Sequence, residues 1–148
     1  MVELNAAAAR AMRRVGVRAA TDVSGFGLLG HLAEMLRAGG TSAEIDAGSV
    51  PLLPGVRELA AAGVVPGGTT RNLTTAERMT TFGEDLDDVD RVVLADAQTS
   101  GGLLMAVDAP LEKALLQALA DEQVQGVTIG RLVARSFADG PSGRITVQ

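Results

Sequence analysis

The order of apolar and polar residues predicts a chain in which helices and strands alternate irregularly. Apolar side chains recur with helical spacing in four segments, which are residues 3–15, 28–37, 55–62 and 111–119. Patterns typical of strands occupy five others, which are residues 17–20, 41–46, 103–107, 127–134 and 144–147. This order predicts a mixed β-sheet with helices packed on it, an α+β fold, in a single domain spanning residues 1–148.

The C-terminal third of the chain predicts two further details. The run from Leu103 to Val107 is apolar throughout, which is typical of a strand covered on both faces. The last two predicted strands are separated by the turn-forming residues 139–143. Because such a turn joins neighbouring strands, we expect these two to pair as a hairpin.

A first polar stretch, residues 20–32, combines an acidic residue, a glycine-rich bend and a helix start. Asp22 ends a short apolar run, Gly25 and Gly27 allow a sharp turn, and helical spacing begins at Leu28. The first turn of a helix attracts anions through its unpaired N–H groups. A carboxylate beside such a site suggests a phosphate bound with a divalent cation, and the alternative is an ordinary strand-to-helix turn.

Two further polar stretches follow. Residues 64–72 are predicted to form a loop, and they include the possible oxyanion donors Thr69, Arg71 and Asn72. An ordinary connecting loop is the alternative for this stretch. Residues 96–102 form a second polar loop, which leads into the apolar run at Leu103.

Other motifs compete with the phosphate interpretation. Residues 25–30 match the G-x-G-x-x-G motif of dinucleotide-binding units, and Asp46 follows at the distance expected for the ribose-binding acid. Against this interpretation, Asp22 would bring a negative charge close to the pyrophosphate. The acidic run 84–90 fails as an EF-hand loop and predicts a helix start. His31 is the only histidine, so a His-rich metal site is excluded, and a flanking or capping role is favoured.

Composition narrows the function classes. The 148 residues are 47% hydrophobic and 21% charged, as in soluble globular proteins, and only 2% aromatic. The net charge of −5 and the lack of aromatic platforms argue against nucleic acid and membrane partners. With no cysteine, no apolar run of about 18 residues and no signal-peptide pattern, we expect a cytoplasmic protein.

Three segments together resemble one family. Residues 21–31 resemble the TDVTGFGLLGH signature of selenophosphate synthetase, also called selenide, water dikinase; residues 66–72 resemble its PGGTxRN segment and residues 96–104 its DPQTSGGLL segment. Ser24 stands where the family usually has Thr, and Ala97 where it usually has Pro. The similarity covers the C-terminal domain of that family, a domain shared with aminoimidazole ribonucleotide synthetase.

The resemblance implies a function and a set of site residues. The family's enzyme converts ATP, selenide and water to selenophosphate, AMP and phosphate, using magnesium, as a homodimer. Asp22 would be a metal ligand, and a set of polar residues would lie near the cleft facing ATP: Thr69, Arg71, Asn72, Gln98, Thr99 and Ser100.

The family's N-terminal domain carries the reactive Cys or selenocysteine, an essential lysine and most of the metal-binding aspartates. This chain has no cysteine, and its only lysine, Lys113, lies in a predicted surface helix. We therefore expect the 148 residues to be inactive without an N-terminal partner domain and to contain no catalytic residue of their own. The alternative is a free-standing module that packs on a separate partner or binds nucleotide as a regulator.

Overall fold

The computed structural model describes residues 5–140 and 143–148. The α-helices of this part are α1 (Ala6–Val15), α2 (Gly27–Gly39), α3 (Val56–Ala61), α4 (Gly67–Ala76), α5 (Asp88–Leu94) and α6 (Glu112–Asp121). The strands are β1 (Ala19–Asp22), β2 (Thr41–Ile45), β3 (Thr80–Phe82), β4 (Leu103–Ala106), β5 (Gly130–Ala134) and β6 (Ile145–Val147). No described helix has the length and apolar character needed to cross a membrane.

The strands form two sheets, and the larger one supports the main core. Its order is β3-β6-β2-β5, with β2 parallel to β6 and antiparallel to β5. Helix α2 packs on this sheet, and Leu29, Leu36, Ile145 and Val147 are almost completely buried between them. The α+β fold class with a mixed sheet is therefore confirmed.

A smaller core lies beneath the second sheet. Strands β1 and β4 pair antiparallel, and helices α1 and α6 pack against each other beside them through Ala8, Ala11, Leu115 and Leu119. Helix α1 ends at Val15, as the predicted segment 3–15 does, and the left-handed backbone of the following Gly16 returns hydrogen bonds to the last turn.

The predicted terminal hairpin is wrong. Strands β5 and β6 lie in one sheet, but β2 lies between them and pairs with both. The turn residues Pro141 and Ser142 lie outside the described residues. The prediction failed because a turn-forming sequence reports only on local chain reversal, whereas Ala43 and Ile45 of β2 are buried by the sheet as a whole.

The predicted loop at residues 64–72 is also wrong from Gly67 onward, because α4 begins there. Glycine and threonine have low helix propensity, but packing of one helix face overrides it. Thr69, Asn72, Leu73 and Ala76 have the i, i+3, i+4, i+7 spacing of an inward stripe, and all four are buried or half-buried.

Three smaller outcomes concern strands. Strand β3 was not predicted from the sequence. Strand β4 is half-buried, and apolar side chains contact both of its faces as predicted, because Leu104 packs against the main core and Leu103 and Met105 pack against the smaller one. Strand β1 spans residues 19–22 instead of the predicted 17–20, so that Asp22 is its last residue and does not follow it.

Candidate functional site

The three polar stretches meet at one place, which we call the loop cluster: residues 22–26, the α4 start at residues 67–72, and residues 96–101. The first and third stretches continue the pairing of β1 with β4. The Val23 N–H donates to the Gly102 carbonyl (2.9 Å), the Gly101 N–H donates to the Val23 carbonyl (2.8 Å), and the Gln98 N–H donates to the Ser24 carbonyl (3.1 Å). Backbone hydrogen bonds therefore fix these two stretches against each other.

Two glycines allow the backbones to approach closely. Gly27 has a φ of +70°, and a Cβ on it would lie 2.6 Å from the main chain of Ala95. A Cβ on Gly101 would lie 2.6 Å from the Val23 carbonyl oxygen. Only glycine fits at either position, because real Cβ atoms do not approach other atoms so closely.

Thr69 joins α4 to the third stretch. Its hydroxyl group donates to Asp96 Oδ1 (2.9 Å) and accepts from the Ala97 N–H (3.0 Å). The side chain is completely buried. Thr69 thus lies in the predicted region, but its hydroxyl is bonded within the protein.

Asn72 joins α4 to the first stretch. Its amide nitrogen donates to the carbonyl of Gly25 (2.9 Å) and to that of Ala95 (3.2 Å). The Ala95 carbonyl lies at the C-terminal end of α5, where a helix leaves carbonyl groups without intrahelical partners. Both N–H bonds of the Asn72 amide therefore point to protein atoms.

The other predicted site residues remain accessible to a ligand. Arg71, Thr99 and Ser100 are exposed, and Gln98 is half-buried. The Asp22 side chain is also exposed, and among residues 5–140 and 143–148 its carboxylate makes no hydrogen bond or ion pair. The structure thus brings all seven predicted residues to one region, where Asp22 and three others are exposed, Asn72 and Gln98 are half-buried and Thr69 is buried.

The region contains one candidate metal ligand rather than a complete metal site. Within the described part of the chain, no three acidic, histidine or cysteine side chains are grouped closely enough to hold a metal ion. Asp22 can supply one oxygen ligand of the kind that Mg²⁺ prefers. The remaining ligands would have to be phosphate oxygens, waters or residues of another domain.

His31 lies on the flank of α2 beside the first stretch. Its Nε2 atom is 3.1 Å from Ser24 Oγ, and its ring lies 5.5 Å from that of Phe26 in a tilted arrangement. A Cβ on Gly30 would collide with Phe26. His31 therefore supports the bend from the flank of α2, and its contact with Ser24 was not predicted from the sequence.

The dinucleotide interpretation is contradicted by the topology. It requires strands β1 and β2 to lie side by side and parallel, with the glycine-rich turn between β1 and α2. The two strands belong to different sheets, and β1 pairs antiparallel with β4. Asp46 instead begins a short 3₁₀ turn, where it accepts hydrogen bonds from Gly48 and Ser49.

Comparison with known proteins gives relatives for the sequence and for the fold. The chain is 46% identical over 140 residues to a selenide, water dikinase of Cronobacter sakazakii (strain ATCC BAA-894) and 38% identical over 144 residues to one of Pasteurella multocida (strain Pm70). Each match covers 95% of this chain but only 39% of the relative, so the chain spans about two-fifths of their length.

A solved structure shares the fold. The crystal structure of thiamine-monophosphate kinase from Stenotrophomonas maltophilia K279a superposes with a TM-score of 0.55 at 21% identity, covering 89% of this chain and 31% of that one. At this level of identity the likeness concerns the fold alone.

The family described as AIR synthase related protein, C-terminal domain, matches residues 1–139. The chain therefore belongs to the family of AIR synthase related C-terminal domains, as its three-segment resemblance predicts.

Proposed function

We propose that this chain is the C-terminal domain of a selenide, water dikinase, which converts ATP, selenide and water to selenophosphate, AMP and phosphate. Two curated relatives with 38% and 46% identity carry that name. The complete enzyme is this chain joined to, or mixed with, the additional part that those relatives possess. By the family resemblance it would be a cytoplasmic homodimer.

The loop cluster is the proposed wall of the ATP site. The observation that carries this assignment is the exposed carboxylate of Asp22, which makes no hydrogen bond or ion pair with the described residues, although several hydrogen bonds hold the main chain around it. Donors that suit phosphate oxygens lie in the same region, namely the guanidinium of Arg71 and the hydroxyls of Thr99 and Ser100. A rigid main chain presenting accessible polar side chains is suited to orienting a phosphate chain.

Magnesium fits this wall as a shared ion. Asp22 would provide one ligand from this domain, and the bound ion would neutralise charge on the phosphates. The chain's own residues would orient the phosphates and hold Asp22 in place. We do not assign a nucleophile or a proton-transferring residue to this chain, because it has no cysteine and Lys113 is exposed on α6.

Substitution of Asp22 in the complete enzyme tests the proposal. Asp22→Asn should reduce magnesium-dependent formation of AMP and selenophosphate by about 100-fold or more, since even residues that only support a metal ligand typically contribute roughly 10- to 100-fold. A matched control is Asp108→Asn, because Asp108 is also exposed and follows β4 at the opposite end of the same two-stranded sheet. Asp108→Asn should leave turnover within about twofold, a small effect typical of surface substitutions.

The two variants give a clear result in either direction. Wild-type turnover in Asp22→Asn would reject the metal assignment, and an equal loss in Asp108→Asn would point to a general charge effect.

The 148 residues alone should form no AMP from ATP and selenide, and activity should return on addition of the missing part. Turnover by these 148 residues alone would refute the proposal that the chain needs the additional part of its relatives for activity.

A further inference from the structure

We propose that Asn72 is a positioning residue that holds Arg71 toward the ATP phosphates and does not itself contact the nucleotide. This inference rests on the proposed function, and it assigns different roles to two neighbouring residues that the family resemblance places together near the cleft.

The first argument is the hydrogen-bonding capacity of the Asn72 amide. An amide nitrogen has two N–H bonds, and here it reaches two carbonyl oxygens, those of Gly25 and Ala95. No N–H donor of this side chain is left for a phosphate oxygen. The remaining carbonyl oxygen is an acceptor, which a phosphate would repel.

The second argument is the nature of the two groups that Asn72 joins. Ala95 is completely buried and caps the C-terminus of α5, directly after Leu94 of the main core. Gly25 is exposed at the tip of the bend, and a Cβ built on it would meet no atom within 4 Å. Asn72 therefore connects the loosely packed tip of the bend to a rigid part of the fold.

The third argument is the helical position of the neighbouring residues. Thr69 and Asn72 are three residues apart on the inward face of α4, and both are bonded to the protein. Thr70 and Arg71 lie between them and are exposed. The two anchors thus fix the rotation of the helix start, and that rotation determines where the Arg71 guanidinium can reach.

The test is a double-mutant cycle in the complete enzyme, with KM for ATP and kcat measured for each variant. Asn72→Ala and Arg71→Ala should each raise KM for ATP by about 10- to 100-fold, the range expected when a ligand group or its orienting neighbour is lost. If Asn72 acts through Arg71, Asn72→Ala should have less than about a threefold further effect in the Arg71→Ala background, because coupled residues are not additive.

Two conservative variants separate positioning from general loss of structure. Asn72→Asp keeps the shape but places a carboxylate against two carbonyl oxygens, so it should be at least as impaired as Asn72→Ala. Asn72→Gln keeps both N–H donors and should recover part of the KM. A fall in thermal stability with no change in KM for ATP would indicate a merely structural role and overturn the inference.

Two results of the double-mutant cycle would also contradict the positioning role of Asn72. Multiplicative effects of Asn72→Ala and Arg71→Ala would mean that Asn72 contacts the nucleotide independently, and a wild-type KM in Arg71→Ala would remove the group through which Asn72 is said to act. Either would overturn this inference while leaving the Asp22 assignment intact. Failure of the proposed function is recognised separately, by wild-type turnover in Asp22→Asn.

Discussion

The two ends of α5 hold neighbouring parts of the chain by different means. At the C-terminal end, the carbonyl of Ala95 accepts from Asn72, and Asp96 accepts from the buried Thr69. At the N-terminal end, Asp87 and Asp90 pair with Arg57 of α3. The contacts at the C-terminal end are hydrogen bonds from uncharged donors in partly buried surroundings. The contacts at the N-terminal end are ion pairs on the surface.

This difference follows from helix chemistry. The N-terminus of a helix attracts acidic residues, and in α5 Asp87 and Asp90 form a reciprocal capping box that then attracts an arginine. The C-terminus offers carbonyl oxygens, which amide and hydroxyl donors can satisfy. Exposed ion pairs contribute little to stability and are screened by salt, whereas buried hydrogen bonds keep the bonded atoms in one arrangement because breaking them is costly. The candidate site lies at the end where geometry is fixed.

The α3 side also differs in packing. Helix α3 has no buried residue, and several of the apolar side chains around it are exposed: Leu52, Leu53, Leu59 and Val64. Few apolar contacts and exposed hydrogen bonds are features of regions with low local stability. We therefore expect substitutions at the C-terminal end of α5 to have larger effects than those at its N-terminal end.

The largest expected effect is that of Gly27→Ala, which disturbs the C-terminal end. A left-handed backbone costs a residue with a side chain about 1–2 kcal/mol, and overlap in a packed site costs about 1–3 kcal/mol more. The free energy of unfolding should therefore fall by roughly 2–5 kcal/mol, measured by urea denaturation. Gly25→Ala is the matched control, since its Cβ would enter open space. Equal losses in the two variants would contradict the role of the close contact with Ala95.

Thr69→Val should have the next largest effect. The substitution keeps the shape of the side chain but removes the hydroxyl, so that the Ala97 N–H loses its acceptor. Leaving a buried polar group unsatisfied costs about 1–3 kcal/mol. Hydrogen exchange at the Ala97 amide should accelerate together with the loss of stability. Thr70→Val, at an exposed neighbouring position, should change neither quantity appreciably.

Arg57→Ala should have the smallest effect and should depend on salt and pH. The hydrogen bond from Arg57 is the main cause that lowers the pKa of Asp90 below its ordinary value of 3.8. A carboxyl group with a lowered pKa stabilises the fold above pH 3.8, and this contribution disappears as the pH falls through the lowered pKa.

The measurement for Arg57→Ala is the difference in unfolding free energy from the unsubstituted protein. That difference should be present at neutral pH and low salt, should shrink in 1 M salt, and should vanish in acid. A difference that is independent of both conditions would show that α3 is held by packing and not by these charges.

Much of the local structure was predictable from the sequence, because its determinants are local. The spacing of Leu29, Leu32 and Leu36 predicts the buried face of α2, and Gly16 predicts the end of α1. The acidic residues before Val92 predict the start of α5, and its capping box is formed by Asp87 and Asp90.

The failed predictions have a common cause. The pairing of β2 with both β5 and β6 depends on residues that are far apart in the chain, such as Ile45 with Gly130 and Ala43 with Ile145. The α4 start was mistaken for a loop because its inward face carries Thr69 and Asn72, which are poor helix formers unless their side chains find partners elsewhere. Long-range partners leave no periodic signal in the sequence.

The sequence by itself determined which residues belong to the candidate site, since three separate motifs contain Asp22, Arg71, Asn72 and the polar loop after α5. Only the tertiary structure distinguished their roles. It showed that Thr69 and Asn72 are bonded within the protein, whereas Asp22 and Arg71 are exposed. The reason is physical: a side chain's chemical type is written in the sequence, but whether its hydrogen bonds are already made depends on atoms that only folding brings within reach.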